Sequence, residues 1–431
     1  MSVIVSLSPW SSFWTMGPGG GTSSDYVAVE CLKRLGRDVL HFVEQGQPCD
    51  TGNIPIDARL GDARPWQRKL GRCGAIRHLG FAGRWYAFAI RAQAWRRHNE
   101  VFYRRVSEEL RQRVVTKVDL VYCHSGALVQ CGRQLARKYG CPVVAHFYGT
   151  FLQECIGARQ AYWRHPEEYL GWTTLVDLRI CNDDGTGGLE VARDLGLPLE
   201  RFLFQPHGLD LAALNRQNEI DVSQHLLPGA LHVMTASRLA SWKRIDRLLQ
   251  AVPEVVARFS GVRFLVIGDG PERQRLVDLA GELGVQEHVA FVGGVSRDTV
   301  FTFMRQCGIF VSCSDYTNVG RPLKEAMFLG MACVAVDSGD TKTLVADGVT
   351  GRLVAPDDTL GLSNALSGLL SDEAGCHRLG QAAKAFIEVH EPTEDAVVAE
   401  RLTALQNLIG AYSRDGADER SARAAGAKRR I

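Results

Sequence analysis

The chain has 431 residues, a formal net charge of +2, 45% hydrophobic and 23% charged residues. That length predicts two domains with separate cores, and the near-neutral balance excludes a chain that is polybasic throughout. No apolar run is long enough to cross a bilayer, and twelve cysteines without a CxxC pair predict reduced thiols in a cytoplasm rather than disulfides or zinc sites.

Residues 1–8 lack a positive n-region and read as a first strand rather than a signal peptide. The next loop carries Gly17, Gly19, Gly20 and Gly21. Ser23, Ser24 or Asp25 then caps a helix to about Leu35, closed by Gly36. This glycine cluster is either a close-approach loop for a ligand or simply a flexible one, and it is not a GxGxxG fingerprint. Residues 38–43 read as the second strand.

From Arg59 to Lys117 fifteen Lys and Arg face four acids, a net of +11, with Trp66, Trp85, Tyr86, Phe88, Trp95, Phe102 and Tyr103 interleaved. Part of this stretch reads as amphipathic helix. A solvated helical face accounts for most of the charge. The sharper reading is a dock for anionic lipid headgroups or a phosphorylated acceptor, and no nucleic-acid module accompanies it.

Strands are expected at 118–123, 142–145, 178–181 and 202–205, with polar residues and glycines just past their ends, where open α/β sheets hold ligands. His124 and His146 stand at two of those ends, and His207-Gly208-Leu209-Asp210 at another. Each histidine also reads as a satisfied strand-end side chain. Residues 216–228 read as the interdomain linker.

The second series has strands at 231–236, 262–267 and 289–292, then 308–313 and 332–336. Helices are expected at 272–283, at 296–306 with Ser296 as cap, and at 359–371, 375–389 and 393–411. A tail from 413 to 431 has a disordered composition. Between the last two strands lies a glycine-bearing loop followed by a short helix. Pro322 suits its first position and Gly330 a left-handed stop. Unpaired N–H groups there would face a phosphate or sugar hydroxyl, with Glu325 one turn further on. Arg238 and Lys243 leave the first strand of this half on one loop. On spacing alone they read as surface charge.

Residues 231–358 resemble the nucleotide-sugar-binding half of the retaining GT-B glycosyltransferases of family 4. The matching residues are Ser237-Arg238-Leu239 with Lys243, Gly268-Asp269-Gly270-Pro271-Glu272, Val289-Ala290-Phe291-Val292-Gly293, Asn318-Val319-Gly320 through Glu325-Ala326-Met327, and Asp347-Gly348-Val349-Thr350-Gly351. The first half resembles the family's acceptor domain more loosely, through the early glycine loop, His146, Asp184-Gly185-Thr186 and His207-Gly208-Leu209-Asp210.

The resemblance implies an α/β GT-B fold of two Rossmann-like parallel-sheet domains facing a central cleft. The expected division is 1–215 on the acceptor side, 228–390 on the nucleotide-sugar side, and a helix at 391–412 crossing back to the first domain. It implies that Arg238 and Lys243 bind a donor diphosphate and that His146 lies near the reacting sugar. Gly20 and Gly21 would close over the phosphates, and Val292 would lie beside the base. Asn318, Val319 and Gly320 would contact sugar and phosphate, and Glu325 the ribose. Thr317 departs from the family, standing where the motif has its first glutamate. No cofactor is implied beyond a nucleotide-diphosphate sugar as donor substrate, and no metal, since a DxD triplet is missing. The expected partners are that donor, a sugar or lipid-linked acceptor and an anionic membrane surface. A cytoplasmic place on the inner membrane face and a role in polysaccharide biosynthesis follow by analogy. Rival readings are another GT-B enzyme, such as an epimerase or phosphorylase, and a catalytically weak scaffold subunit.

Overall fold

The structure, a computed structural model, describes residues 2–9, 24–43, 58–59, 80–158, 161–182, 185–216, 220–315 and 320–427. The first lobe contains β1 (Ser2–Ser8), β2 (Asp38–Val43), β3 (Ala58–Arg59), β4 (Lys117–His124), β5 (Val143–Phe147), β6 (Leu178–Asn182) and β7 (Phe202–Gln205). They form one sheet in the order β3-β2-β1-β4-β5-β6-β7, parallel at every pairing. The second lobe contains β8 (Leu231–Ala236), β9 (Val262–Ile267), β10 (Val289–Gly293), β11 (Ile309–Ser312), β12 (Ala332–Val336) and β13 (Arg352–Val354). Their order is β10-β9-β8-β11-β12-β13, again all parallel. Two doubly wound sheets make the GT-B architecture.

Both sheets are buried on both faces, which is why their strands read as continuous apolar runs. In β1, Val3, Val5 and Leu7 enter one core and Ile4 enters another. In the second lobe Val233, Phe264, Val311 and Val334 face one helical layer, while Met234, Leu265, Phe310 and Cys333 face the other. Strands β2, β7, β8, β9 and β12 have the bounds expected from sequence.

Three boundaries differ from expectation. Leu209, Ala213 and Leu214 bury their side chains with the second lobe's core, so the crossing precedes the expected end at 215. The last helix runs Glu394–Ala427, so its backbone continues through the stretch whose composition predicts disorder. That stretch is rich in Ala and Arg, which are good helix formers. Finally, the helix Arg321–Phe328 starts one residue before Pro322, which occupies its second position. Gly330 adopts the expected left-handed stop at φ 80°.

Leu405 and Ile409 pack with Ile4, Leu120, Val144 and Ile180, and Tyr412 donates to Asp177 Oδ1 at 2.5 Å. The ten described cysteines are free, nine of them buried. No described helix is long and apolar enough to cross a membrane.

Candidate functional site

Strand order reverses direction between β8 and β11, and ligands of open α/β sheets sit at such switch points. A cavity opens there. It is lined by Thr235, Ala236 and Ser237 from the end of β8, Ser312 and Ser314 from the end of β11, Lys243, and Gly320 and Pro322 where the next helix begins. Gly320 is that helix's N-cap residue, so the helix's first N–H groups lie at the cavity. A cation, two serines and a helix N-terminus at one point suit an anion.

Lys243 is half-buried, its Nζ 4.4 Å from the Trp242 ring centroid. Burial pushes its ammonium down to about 8. A cation with no carboxylate partner among the described residues suits a phosphate.

The loop that carries it is held from two sides. Leu239 N donates to Asp269 O at 2.9 Å and Glu272 N to Leu239 O at 3.0 Å, binding the loop after β8 to the loop after β9. Gly268 (φ 126°) and Gly270 (φ 159°) permit this approach, because a Cβ on either would strike the backbone of Ser237 or Leu239. On the other side Arg244, itself left-handed at φ 48°, pairs with Asp246 and Asp315 at 3.2 Å each. The buried Arg247 adds 2.7 Å to Asp315 and 2.8 Å to Asp357. Asp315 N also donates to Trp242 O at 2.9 Å.

Of the residues expected in the donor site, the structure brings Lys243 and Gly320 to one cavity. Arg238 is on the same loop as Lys243, exposed and outside that lining. Glu325 lies one turn into the helix, 5% exposed, with Oε1 accepting from Arg297 Nη2 at 2.9 Å. Val292 is half-buried on the edge strand β10. Gly20, Gly21, Thr317, Asn318 and Val319 lie outside the described residues.

His146 belongs to the first lobe. Its Nδ1 accepts from Tyr122 Oη at 2.7 Å and its Nε2 donates to Asn182 Oδ1 at 2.8 Å, which fixes a neutral tautomer. Burial holds its basicity well below the ordinary histidine value. It belongs to a polar row crossing the sheet near the strand ends. His41 and His124 both bond Ser6 Oγ, at 2.8 and 2.9 Å, and His124 Nδ1 bonds Tyr148 Oη at 2.7 Å. Beyond Asn182 the row reaches Gln205, which bonds Arg401 and Glu400 of the last helix at 3.2 and 2.6 Å.

A small polar cavity sits where this row meets the second lobe, lined by His146, Asn182, His207, Arg321, Glu394 and Arg401. Arg321 Nη2 lies 3.4 Å from Glu394 Oε2, so the helix that borders the Lys243 cavity is tied to the helix that covers the first lobe. Sequence reasoning missed this row and the arginine clamp. Only the strand-end positions of His124, His146 and Asn182 signalled the former. Among the described residues, Glu154, Cys155 and His165 come close enough to share an ion, but burial pushes the Cys155 thiol up, away from the thiolate a metal requires.

Residues 217–386 match the family described as glycosyl transferases group 1. The match covers most of the second lobe and under half of the chain. The phosphatidyl-myo-inositol mannosyltransferase of Mycolicibacterium smegmatis is 36% identical over 170 residues, which cover 38% of this chain and 42% of that protein. The alpha-D-kanosaminyltransferase of Streptomyces kanamyceticus is 24% identical over 308 residues, covering 67% of this chain and 77% of that one. Among solved structures, sucrose-phosphate synthase from Thermosynechococcus elongatus superposes with a TM-score of 0.70 at 18% identity, covering 95% of this chain and all of that one. Anabaena HepE in complex with UDP-glucose gives 0.65 at 19% identity, over 93% and 99% of the two chains. The likeness in fold therefore extends beyond the matched residues to both lobes.

Proposed function

We propose that the chain transfers a sugar from a nucleotide-diphosphate sugar to an acceptor hydroxyl, with retained anomeric configuration. The observation that carries this is the Lys243 cavity of the second lobe, at the switch point and against a helix N-terminus. HepE, of the same fold, is described with UDP-glucose, which supports a diphosphate donor for this cavity.

In this reading Lys243 and the first N–H groups after Gly320 stabilise charge on the leaving diphosphate. Arg238, on the same exposed loop, swings onto the donor when it binds. The acceptor oxygen attacks the anomeric carbon on the face from which the phosphate leaves. The carbon–oxygen bond to phosphate breaks, and a phosphate oxygen takes the acceptor proton. Closure of the two lobes keeps water from the donor. Glu325, held by Arg297, meets the ribose through its second oxygen.

The helix Gly80–Gln112 supports a peripheral membrane role: Arg96, Arg97, Arg104 and Arg105 are exposed along it, with Trp85 and Tyr86 exposed near its start. An acceptor that is a cell-surface polysaccharide intermediate at the inner membrane face agrees with that surface. The decisive experiment is nucleotide release and product formation by the purified chain across a panel of UDP- and GDP-sugars, with Lys243→Ala alongside. Turnover unchanged in Lys243→Ala would remove the diphosphate assignment.

A further inference from the structure

A second cavity, of about 450 Å³, opens between the lobes at the C-terminal ends of β4, β5 and β6. Ser125, Gly126 and Ala127 follow β4, residues 147–151 end and follow β5, Gly185 and Thr186 follow β6, and Trp242 closes it from the second lobe. Trp242 is the residue before Lys243 and carries the lysine's ammonium over its ring. The cavity thus begins one residue from the donor side, where an attacking hydroxyl has to stand.

Its lining is chemically one-sided. Phe147, Tyr148, Phe151 and Trp242 supply aromatic surface, and Phe151 is 58% exposed. Such rings receive the carbon-bound face of a saturated ring and also attract cations. Three carboxylates share the wall, Glu154, Glu167 and Glu168, and no Lys, Arg or His is among the described lining residues. Glu168 is built in: its Oε1 accepts from Thr150 Oγ1 at 2.6 Å and from Phe151 N at 3.0 Å. Glu154 Oε1 lies 2.7 Å from His165 Nε2, and His165 stands behind the wall, outside the lining. The exposed arginines of the helix Gly80–Gln112 do not line this cavity either.

We infer that the acceptor is a polyhydroxylated ring carrying a protonated amine. Its carbon face rests on Phe151 and Trp242, and its ammonium faces Glu167 and Glu154. A phosphorylated acceptor is disfavoured, because its anion would meet Glu154, Glu167 and Glu168 with no Lys, Arg or His in the described lining. The inference rests on the reading of the Lys243 cavity as the donor side. Two properties of the basic first lobe are thereby separate: attraction to an anionic surface belongs to the outer helix, and acceptor choice belongs to an acidic, aromatic cavity.

The test uses the full chain at pH 6.5 and three probes of one shape, glucosamine, glucose and glucose 6-phosphate, titrated by calorimetry, with UDP binding measured on the same preparations. Glucosamine binding at least tenfold tighter than glucose, with glucose 6-phosphate weakest, is the expected order. Glu167→Gln should bring the amine-to-neutral ratio close to one. Glu154→Gln, on an exposed side chain, gives the same readout if the first variant does not fold. Glucose 6-phosphate binding as tightly as glucosamine, no saturable binding of any probe, or a ratio that survives both substitutions overturns the inference. UDP binding without an amine preference overturns it while leaving the donor reading intact. An amine preference without UDP binding supports amine recognition by this cavity but overturns its assignment as the acceptor side, together with the donor reading.

Discussion

The guanidinium of Arg297 lies 2.9 Å from the carboxylate of Glu325, on the helix that borders the Lys243 cavity. Its other nitrogen reaches Asp210 Oδ2 at 3.0 Å, across the crossover between lobes. Removing one member of a buried pair leaves the other charge unsolvated, at a cost of about 3–5 kcal/mol. Arg297→Ala should therefore lower unfolding stability by about that amount, and Arg297→Ala with Glu325→Ala by less than the sum of the singles. Urea denaturation of the four proteins measures the coupling, and additive losses would mean the pair is not coupled. Because Glu325→Ala also destabilises, its effect on nucleotide affinity has to be read beside its melting temperature.

Lys243 gives a prediction with opposite signs for stability and binding. Its folded value of about 8 lies below the unfolded lysine value, so between the two the unfolded chain holds the extra proton and stability rises with pH. At neutral pH the buried charge costs up to about 3 kcal/mol, from 1.36 kcal/mol per unit. Lys243→Met should raise the melting temperature and remove the stabilisation by UDP. In the wild type, UDP affinity should fall as pH rises above about 8, because only the charged amine meets the diphosphate. Scanning calorimetry with and without UDP reads both effects, and a Lys243→Met protein that is less stable yet still shifted by UDP would contradict the assignment.

The buried histidines set an acid limit. Burial lowers His41 to about 3 and holds His124, His146 and His207 well below the ordinary value. These groups stay neutral in the fold, while in the unfolded chain they take a proton as pH falls through about 6.5. Their contribution is complete above that value and is lost as pH falls toward the folded values. Thermal melts should show stability declining from pH 7 toward pH 4, with a shallower slope in His41→Gln. An identical slope in that variant would sink the account.

Arg247 is 4% exposed and joins Cys313 O at 3.0 Å to Asp315 and Asp357. It anchors the chain just before the loop that leads to Gly320. Asp315→Asn keeps the shape and removes one charge of the clamp, so UDP affinity should fall about 3- to 10-fold, an effect of about 1 kcal/mol. Titration of UDP into that variant tests it; unchanged affinity would mean the clamp does not position the donor side.

Much of this architecture is set by local sequence. Runs such as 231–236 and 332–336 read as largely buried strands, and Ser296 caps its helix, accepting from Thr299 N at 3.0 Å. Lys243 was legible only through the resemblance, since on spacing alone it reads as surface charge, whereas close backbone approach explains the glycines at 268 and 270. The polar row was not legible. Its members come from β2, β1, β4, β5, β6 and β7, and only the parallel register sets Ser6 beside His41 and His124 beside His146. Nor could spacing show Arg297 on Glu325, or three glutamates and Trp242 around one cavity. The order of apolar and polar residues along the chain decides strands, helices and caps. Which charges meet depends on how the lobes fold over one another, because these contacts join residues far apart in the chain.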